Sequence, residues 1–419
     1  MARKSGGSTS SDTTPLSAAQ ISAADAVAEN DDLLTEILAR LPAKPLTQFK
    51  SVSKHWLSLI SQPQLPLLHA RRRHRKPTSA LFLRCPNADS EFSFVPFEGC
   101  LLKAPHFRSL AHQGTTILHS CNGLFCYSKL DETTGDSILR YYVCNPTIKR
   151  FTRIPLLGVV YDCRIPNGDD DSRVHHKLCN YKIDKSTRPW SELNITLVGV
   201  YVAFDPLVSP HYSVVCVWEW NAAAFNYKIR IAVFRSEIGL WGELMGPFTV
   251  PDEVLFENGV FWNGGVHWIS NNELVRFDME GGCLKVIPLP LSCREEKVAY
   301  FGESRGHLQV VVNDKDNDAL FNVFEMDKEF SRWVSVFCCN LNRRIFLSAE
   351  MFPYFFMNSA FSLVFLGRGE SVDESFFVVE VSGKLFYYDI KNQTPMELCD
   401  LPHSSCYKAF PYDETLFEV

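Results

Sequence analysis

No Cys-x-x-Cys pair occurs in these 419 residues, although there are 14 cysteines between Cys85 and Cys406. Zinc sites need thiolates clustered at short spacing, so a zinc-ribbon or finger architecture is not expected. The scattered thiols read instead as small buried apolar side chains of a reducing compartment. No uniform basic field is present either. The formal net charge is −6, which gives no overall pull toward nucleic acid or anionic lipid. Phosphate-loop, dinucleotide-binding and zincin motifs are missing, so neither a cofactor nor a metal is expected. No apolar run is long enough to span a bilayer. The stretch Met1-Ala2-Arg3-Lys4-Ser5-Gly6-Gly7 lacks the apolar core of a secretory signal, and the chain is expected in the cytoplasm, the nucleus or both.

What the sequence does have is apolar and aromatic mass. Hydrophobic residues make up 46% and aromatics 13%, with 31 Phe and 14 Tyr, a composition that leans toward a large β core. Residues 1–29 are the exception. They are rich in Ser, Thr, Ala and Gly and are expected to be disordered, with a transient helix at most over Ala18–Ala28.

Residues 30–63 change character. Asn30 or Asp31 can cap a helix carrying Leu33, Leu34, Ile37, Leu38 and Leu41, a wide apolar stripe that Pro42 stops. Pro45 suits the first turn of a second short helix with Leu46 and Phe49. Ser51 or Ser53 can cap a third, with Trp56, Leu59 and Ile60, ended by Pro63. Three such helices bury too little surface to be stable alone, so the unit must lean on a partner or on the rest of its own chain. Residues 64–79 read as a basic helical linker. Its run Arg71-Arg72-Arg73-His74-Arg75-Lys76 is a solvated face in preference to an import signal or a phosphate patch.

From residue 80 to 419 the pattern is β. Strand-length apolar runs at Ala80–Leu83, Tyr141–Cys144, Tyr212–Trp218, Ile229–Phe234, Leu308–Val312 and Phe376–Val381 are punctuated by Gly, Asn, Asp and Pro. Tight Gly turns recur at Asn122-Gly123, Asn263-Gly264, Arg305-Gly306 and Ser382-Gly383. Trp241 and Trp333 each close a strand. Gly264 and Gly306 are 42 positions apart, close to one propeller blade, but Gly306 and Gly383 are 77 apart. The expectation is a closed β-propeller of six or seven blades with no helical layer.

Two chemical motifs compete with that reading. Gly302-Glu303-Ser304-Arg305-Gly306 fits the G-x-S-x-G of a hydrolase elbow, with Asp314 and His403 downstream, but a strand follows where the elbow needs a helix. His175-His176 beside Asp169-Asp170-Asp171 reads as a solvated loop in preference to a metal site. The polar stretch Asp162–Arg188, with Trp190 at its edge, is either a partner-binding segment or a tolerated insertion.

The segment Asp32-Leu33-Leu34-x-Glu36-Ile37-Leu38-x-Arg40-Leu41-Pro42-x-Lys44-x-Leu46-x-x-Phe49-Lys50-x-Val52-Ser53-Lys54-x-Trp56-x-x-Leu59-Ile60 resembles an F-box of the plant type. It departs from the family at its start, where Glu29-Asn30 replaces the usual Leu-Pro, and at Gln48, where Arg is frequent. Ser120-Cys121-Asn122-Gly123-Leu124-Phe125-Cys126, Val143-Cys144-Asn145-Pro146-Thr147, Ala203-Phe204-Asp205-Pro206, Gly259-Val260-Phe261-Trp262-Asn263-Gly264 and Gly302-Glu303-Ser304-x-Gly306-His307-Leu308 resemble the F-box-associated, kelch-like domain that follows such motifs.

The resemblance implies a non-catalytic substrate receptor of a Skp–cullin–F-box ubiquitin ligase. Leu34, Ile37, Leu38, Leu41, Pro42, Leu46, Val52 and Trp56 would dock a Skp-type adaptor and through it a cullin, with Trp56 the leading hot-spot candidate. The β domain would hold an unidentified protein target, with no nucleic acid or membrane involved. The rivals are a stand-alone binding module and a hydrolase using Ser304.

Overall fold

The computed structural model describes residues 26–73, 78–84, 92–97, 115–131, 138–155, 194–221, 228–290, 297–314, 316–317, 319–342, 345–346, 361–401 and 408–419. The stretch Asp162–Arg188, Trp190, His175-His176 and His403 lie outside these. So does the tail before residue 26. Residues 26–28 of the expected tail are helical, and the Asn30 amide closes their turn on the Val27 carbonyl at 3.3 Å.

The helical unit comprises α1 (Asp31–Leu38), α2 (Ala43–Phe49), α3 (Lys54–Ile60) and α4 (Gln64–Arg73). The local signals act as their chemistry predicts. Asn30 Oδ1 accepts the Leu33 amide at 3.0 Å, and Ser53 Oγ accepts the Trp56 amide at 3.1 Å. Helix α1 ends before Pro42 is reached. Its last turn closes when the Ala39 amide bonds the Thr35 carbonyl, and Arg40 and Leu41 follow with short i−3 bonds.

Behind it lie six sheets. The first joins β1 (Ala80–Arg84) and β2 (Phe92–Pro96) to the last strand of the chain, β24 (Lys408–Tyr412), in the order β2-β1-β24. The second runs β3 (Thr115–Cys121), β4 (Leu124–Asp131), β5 (Ile138–Asn145), β6 (Arg150–Arg153). The third holds β7 (Asn194–Ala203), β8 (Ser213–Asn221), β9 (Lys228–Arg235) and β10 (Leu240–Trp241), with β11 (Met245–Thr249) also on β9. The fourth is β12 (Val260–Trp262), β13 (Gly265–Ile269), β14 (Glu273–Asp278), β15 (Cys283–Pro288). The fifth is β16 (Lys297–Ser304), β17 (His307–Asn313), β18 (Leu320–Met326), β19 (Trp333–Asn340). The sixth is β20 (Ser362–Gly367), β21 (Phe376–Val381), β22 (Lys384–Asp389), β23 (Thr394–Asp400).

The innermost strands β24, β3, β7, β12, β16 and β20 neighbour one another in that order and return to β24, so the sheets form a closed six-bladed propeller. Pairing of β1 with β24, from Ala80 opposite Tyr412 to Arg84 opposite Lys408, joins the two ends of the domain and leaves no open edge in the ring. Among the described residues no helical layer interrupts it: beyond residue 80 those that are helical form 3₁₀ turns such as Phe256–Asn258 and Val372–Glu374.

The apolar core is divided. One cluster fills each gap between adjacent blades, as where Val202, Phe204 and Trp218 of the third blade meet Leu124, Val143 and Ile154 of the second. Middle strands are therefore covered on both faces. That is why β17 and β21 read as continuous apolar runs instead of alternating ones. Outer strands face water, and β15 and β23 are mostly exposed or half-buried. Buried thiols belong to the same core. Burial pushes Cys126 up to about 12 and Cys339 up to about 11, which suppresses their thiolates.

The repeat motifs resolve into distinct roles. At Asn122-Gly123, Asn263-Gly264, Arg305-Gly306 and Ser382-Gly383 both residues have positive φ, from +44° to +85°, as two-residue hairpin turns demand. The first three join a blade's innermost strand to its second. Ser382-Gly383 joins the second to the third, at the other end of the blade. This explains the 77-position gap from Gly306, which is one blade plus one strand and turn. The two tryptophans are equivalent: Trp241 Nε1 donates to the Pro155 carbonyl at 2.8 Å, and Trp333 Nε1 to that of Pro288 at 3.0 Å. Each ties an outer strand to the chain leaving the outer strand of the preceding blade.

Candidate functional site

The helical unit is built from an apolar stripe wider than its own core can absorb. Leu34 and Leu38, four apart on α1, point inward with Ala43, Leu46, Leu59, Ile60 and Leu65. Leu33 and Ile37, also four apart, lie on the neighbouring stripe and are 49% and 46% exposed. Val52, in the turn between α2 and α3, is 60% exposed, and Leu57 on α3 is 45% exposed. Pro42 is exposed as well, while Leu41 is half-buried. Trp56 is half-buried and meets Phe49 edge to face at 5.4 Å. Exposed aliphatics recurring across one small unit make a surface suited to protein docking.

The eight residues read from the sequence as adaptor-docking therefore separate into three groups. Leu34, Leu38 and Leu46 are buried and hold the helices together. Ile37, Pro42 and Val52 are exposed, and Leu41 and Trp56 sit at the margin. Leu33 and Leu57 join the exposed set without having been singled out. The four-residue step from Leu33 to Ile37 is the signal that could have found Leu33.

This face rests on a fixed base. Arg72 of α4 donates to the Glu36 carbonyl at 3.0 Å and pairs with its carboxylate, which Arg40 also approaches at 3.3 Å. The two guanidiniums hold the Glu36 carboxyl below its usual range. His69 Nε2 lies 3.1 Å from the Leu41 carbonyl.

The base continues into the propeller through the last seven residues of the chain. Glu414, buried, accepts the Ala43 amide at 3.0 Å. Leu416 enters the helical core, and Ile148, from the turn after β5, packs against the same cluster. Asn145 Nδ2 donates to the carbonyls of Thr415 and Phe417 at 2.9 and 2.8 Å, and Thr152 Oγ1 to that of Val419 at 2.8 Å. The helical unit thus occupies the propeller end where innermost strands finish. The strands flanking residues 156–193 and 347–360 meet those segments at the opposite end.

The hydrolase geometry is not met. Ser304 ends β16, is followed by a two-residue turn and strand β17, and its Oγ accepts the Arg368 amide at 3.0 Å. His267 is buried and stacks on Phe330 at 5.7 Å. Among the described residues no group of three His, Cys, Asp or Glu side chains is placed to hold a metal, and no helix is long and apolar enough to cross a membrane.

Comparison with known proteins matches two families. Residues 30–68 match the F-box domain, and residues 72–398 match the F-box associated beta propeller domain. The chain is 27% identical over 404 residues to F-box protein At5g07610 of Arabidopsis thaliana, covering 90% of this chain and 87% of that one. It is 26% identical over 293 residues to F-box protein At5g49610 of the same plant, covering 67% and 71%. With F-box/kelch-repeat protein At3g23880, also from Arabidopsis thaliana, it shares 24% over 321 residues, covering 72% and 77%. An exposed apolar face on short capped helices, fixed to a six-bladed ring, and these matches across both parts place the chain among the F-box proteins that carry an F-box associated beta propeller domain.

Proposed function

We propose that this chain is the substrate-recognition subunit of a Skp–cullin–F-box ubiquitin ligase, acting in the cytoplasm, the nucleus or both. The observation that carries the reading is the exposed face of Leu33, Ile37, Pro42, Val52 and Leu57 on an F-box whose own core is already complete without them. Such a face fits a Skp-type adaptor, which in turn binds a cullin, and would bury about 800 Å² per partner. The kelch-like propeller holds the target protein at the end away from the F-box. The subunit supplies no catalytic group. Its contribution is proximity: a target lysine held near a charged conjugating enzyme reacts at a high effective concentration. Rigidity matters to that role, because a loose joint between F-box and propeller would spread the target over a larger volume. The Glu414 and Leu416 contacts keep the joint stiff.

The test is co-expression of the full chain with a Skp-type adaptor and a cullin, followed by purification on a tag carried by the adaptor. Recovery of a stoichiometric complex supports the reading. A folded chain that elutes alone refutes it and leaves a stand-alone binding module.

A further inference from the structure

A cavity of about 320 Å³ lies on the propeller axis. Its wall comes from the innermost strands β3, β12, β16, β20 and β24, and Ala70 of α4 contributes at the F-box end. The volume is at the small end of the range for ligand sites, roughly 300–1,000 Å³. Ala299, Val364 and Ala409 add apolar side chains to its wall.

The two ends differ in charge. Glu303, next to last in β16, and Asp413 and Glu414, just after β24, line the F-box end together with one cation, Arg305, which pairs with Glu370 at 3.6 Å. Lys408, the first residue of β24, lines the other. Glu303 Oε1 accepts the Gly306 amide at 2.6 Å, and among the described residues Glu303 has no ion pair and its other oxygen no hydrogen-bond donor. Ser120 Oγ, also on the wall, is buried without a partner among the described residues. A half-buried carboxylate and a buried hydroxyl with unused acceptor capacity mark a place for a donor of several N–H bonds. At the far end Lys408 donates to the Glu257 carbonyl and lies 5.6 Å over the Phe410 ring, so a second cation on the same ligand would be repelled there.

We propose that the axial cavity binds a primary ammonium group carried on a slender, largely apolar chain, with the nitrogen against Glu303 and Ser120 at the F-box end. Burial, reinforced by the charges of Asp413 and Asp205, pushes the Glu303 carboxyl up to about 7, and an ammonium beside it would reverse that shift. The chemistry has two sources, the free N-terminus of a polypeptide and a small aliphatic amine. The site stands apart from adaptor docking, so binding is measured on the chain alone.

The experiment is calorimetric titration of the full-length chain with n-hexylamine, Ala-Ala-Ala amide with a free N-terminus, its N-acetylated form, and 1,4-diaminobutane. Hexylamine or the free tripeptide is expected to bind, with the acetylated tripeptide and the diamine at least tenfold weaker. Hexylamine affinity should rise about tenfold per pH unit up to about 7 and then level, as Glu303 ionises. Glu303→Gln should weaken binding at least tenfold and flatten the pH profile, and Ser120→Ala should weaken it about threefold. Thermal melts establish that each variant is folded. Binding of hexylamine alone assigns the site to small amines, and binding of the free tripeptide assigns it to polypeptide N-termini. Absence of binding by both at millimolar concentration, or equal binding by the acetylated tripeptide, overturns the proposal. So does unchanged affinity in both variants.

Discussion

Glu414 caps a helix that begins 371 residues earlier: its carboxylate accepts the Ala43 amide at 3.0 Å in a buried setting. Helix α2 has Pro42 at its N-cap, which offers no side-chain acceptor, so the first turn would otherwise leave its amides unsatisfied. A negative charge there also complements the helix dipole. The contact links the two parts of the protein, because the tail that carries Glu414 is bonded to β5 and β6 by Asn145 and Thr152.

Replacing Glu414 by Ala should therefore cost about 1–2 kcal/mol, the worth of an N-cap with charge. The loss should be local. Hydrogen exchange across residues 43–49 should accelerate while the amides of β17 and β21 keep their protection. Equal acceleration in the blades would show that the tail holds the propeller closed and not only the F-box.

Much of the helical unit was legible from short-range chemistry. Asn30 and Ser53 cap as their positions suggest, since an N-cap bond spans only three residues. The division of Leu33, Leu34, Ile37 and Leu38 into outer and inner stripes was not, because both stripes are apolar and only the packing partner distinguishes them. Blade count was obscured for a similar reason. Gly383 has the same local turn signature as Gly306 but sits at the other end of its blade. The sheet of β1, β2 and β24 is joined across more than 300 residues and has no local sequence sign. Nor does Asp413–Val419, whose role is defined only by what it touches.

The Gly turns make a matched test of local strain against tertiary fit. At Gly264, φ is +73° and nothing lies within 4 Å of an added Cβ, so Gly264→Ala should cost only about 1 kcal/mol for the left-handed conformation. At Gly123, φ is +85° and a Cβ would sit 2.4 Å from the Asp413 carbonyl oxygen. Gly123→Ala should cost about 2 kcal/mol or more and loosen the tail. Denaturant melts of the two variants measure the difference, and equal costs would contradict the close approach of the tail to this turn.

Glu303 gives the protein a defined pH dependence. Its folded-state carboxyl is raised to about 7 from 4.5, so the protonated form is favoured by folding. That contribution is fully present below the unfolded value and is lost as the pH rises through about 7. Glu303→Gln stays neutral at every pH. It should match the parent near pH 4 and exceed it by about 1–2 kcal/mol at pH 8, the cavity-facing part of the side chain being eased by water. Urea melts at both pH values test this. A variant no more stable than the parent at pH 8 would mean that Glu303 already has a compensating cation.

In the proposed function the outer stripe of the F-box docks a Skp-type adaptor while the inner stripe holds the fold. Titration of adaptor into purified full-length chain measures it directly, comparing Ile37→Asp with Leu57→Asp against Leu38→Ala. The surface pair should weaken adaptor binding at least about 100-fold, since about 1.4 kcal/mol is lost per tenfold and two buried aliphatics contribute more than twice that. Its melting should stay within about 0.5 kcal/mol of the parent. Leu38→Ala should instead lose ~2–5 kcal/mol of F-box stability. A folded surface variant that binds the adaptor with the parent's affinity would contradict the account.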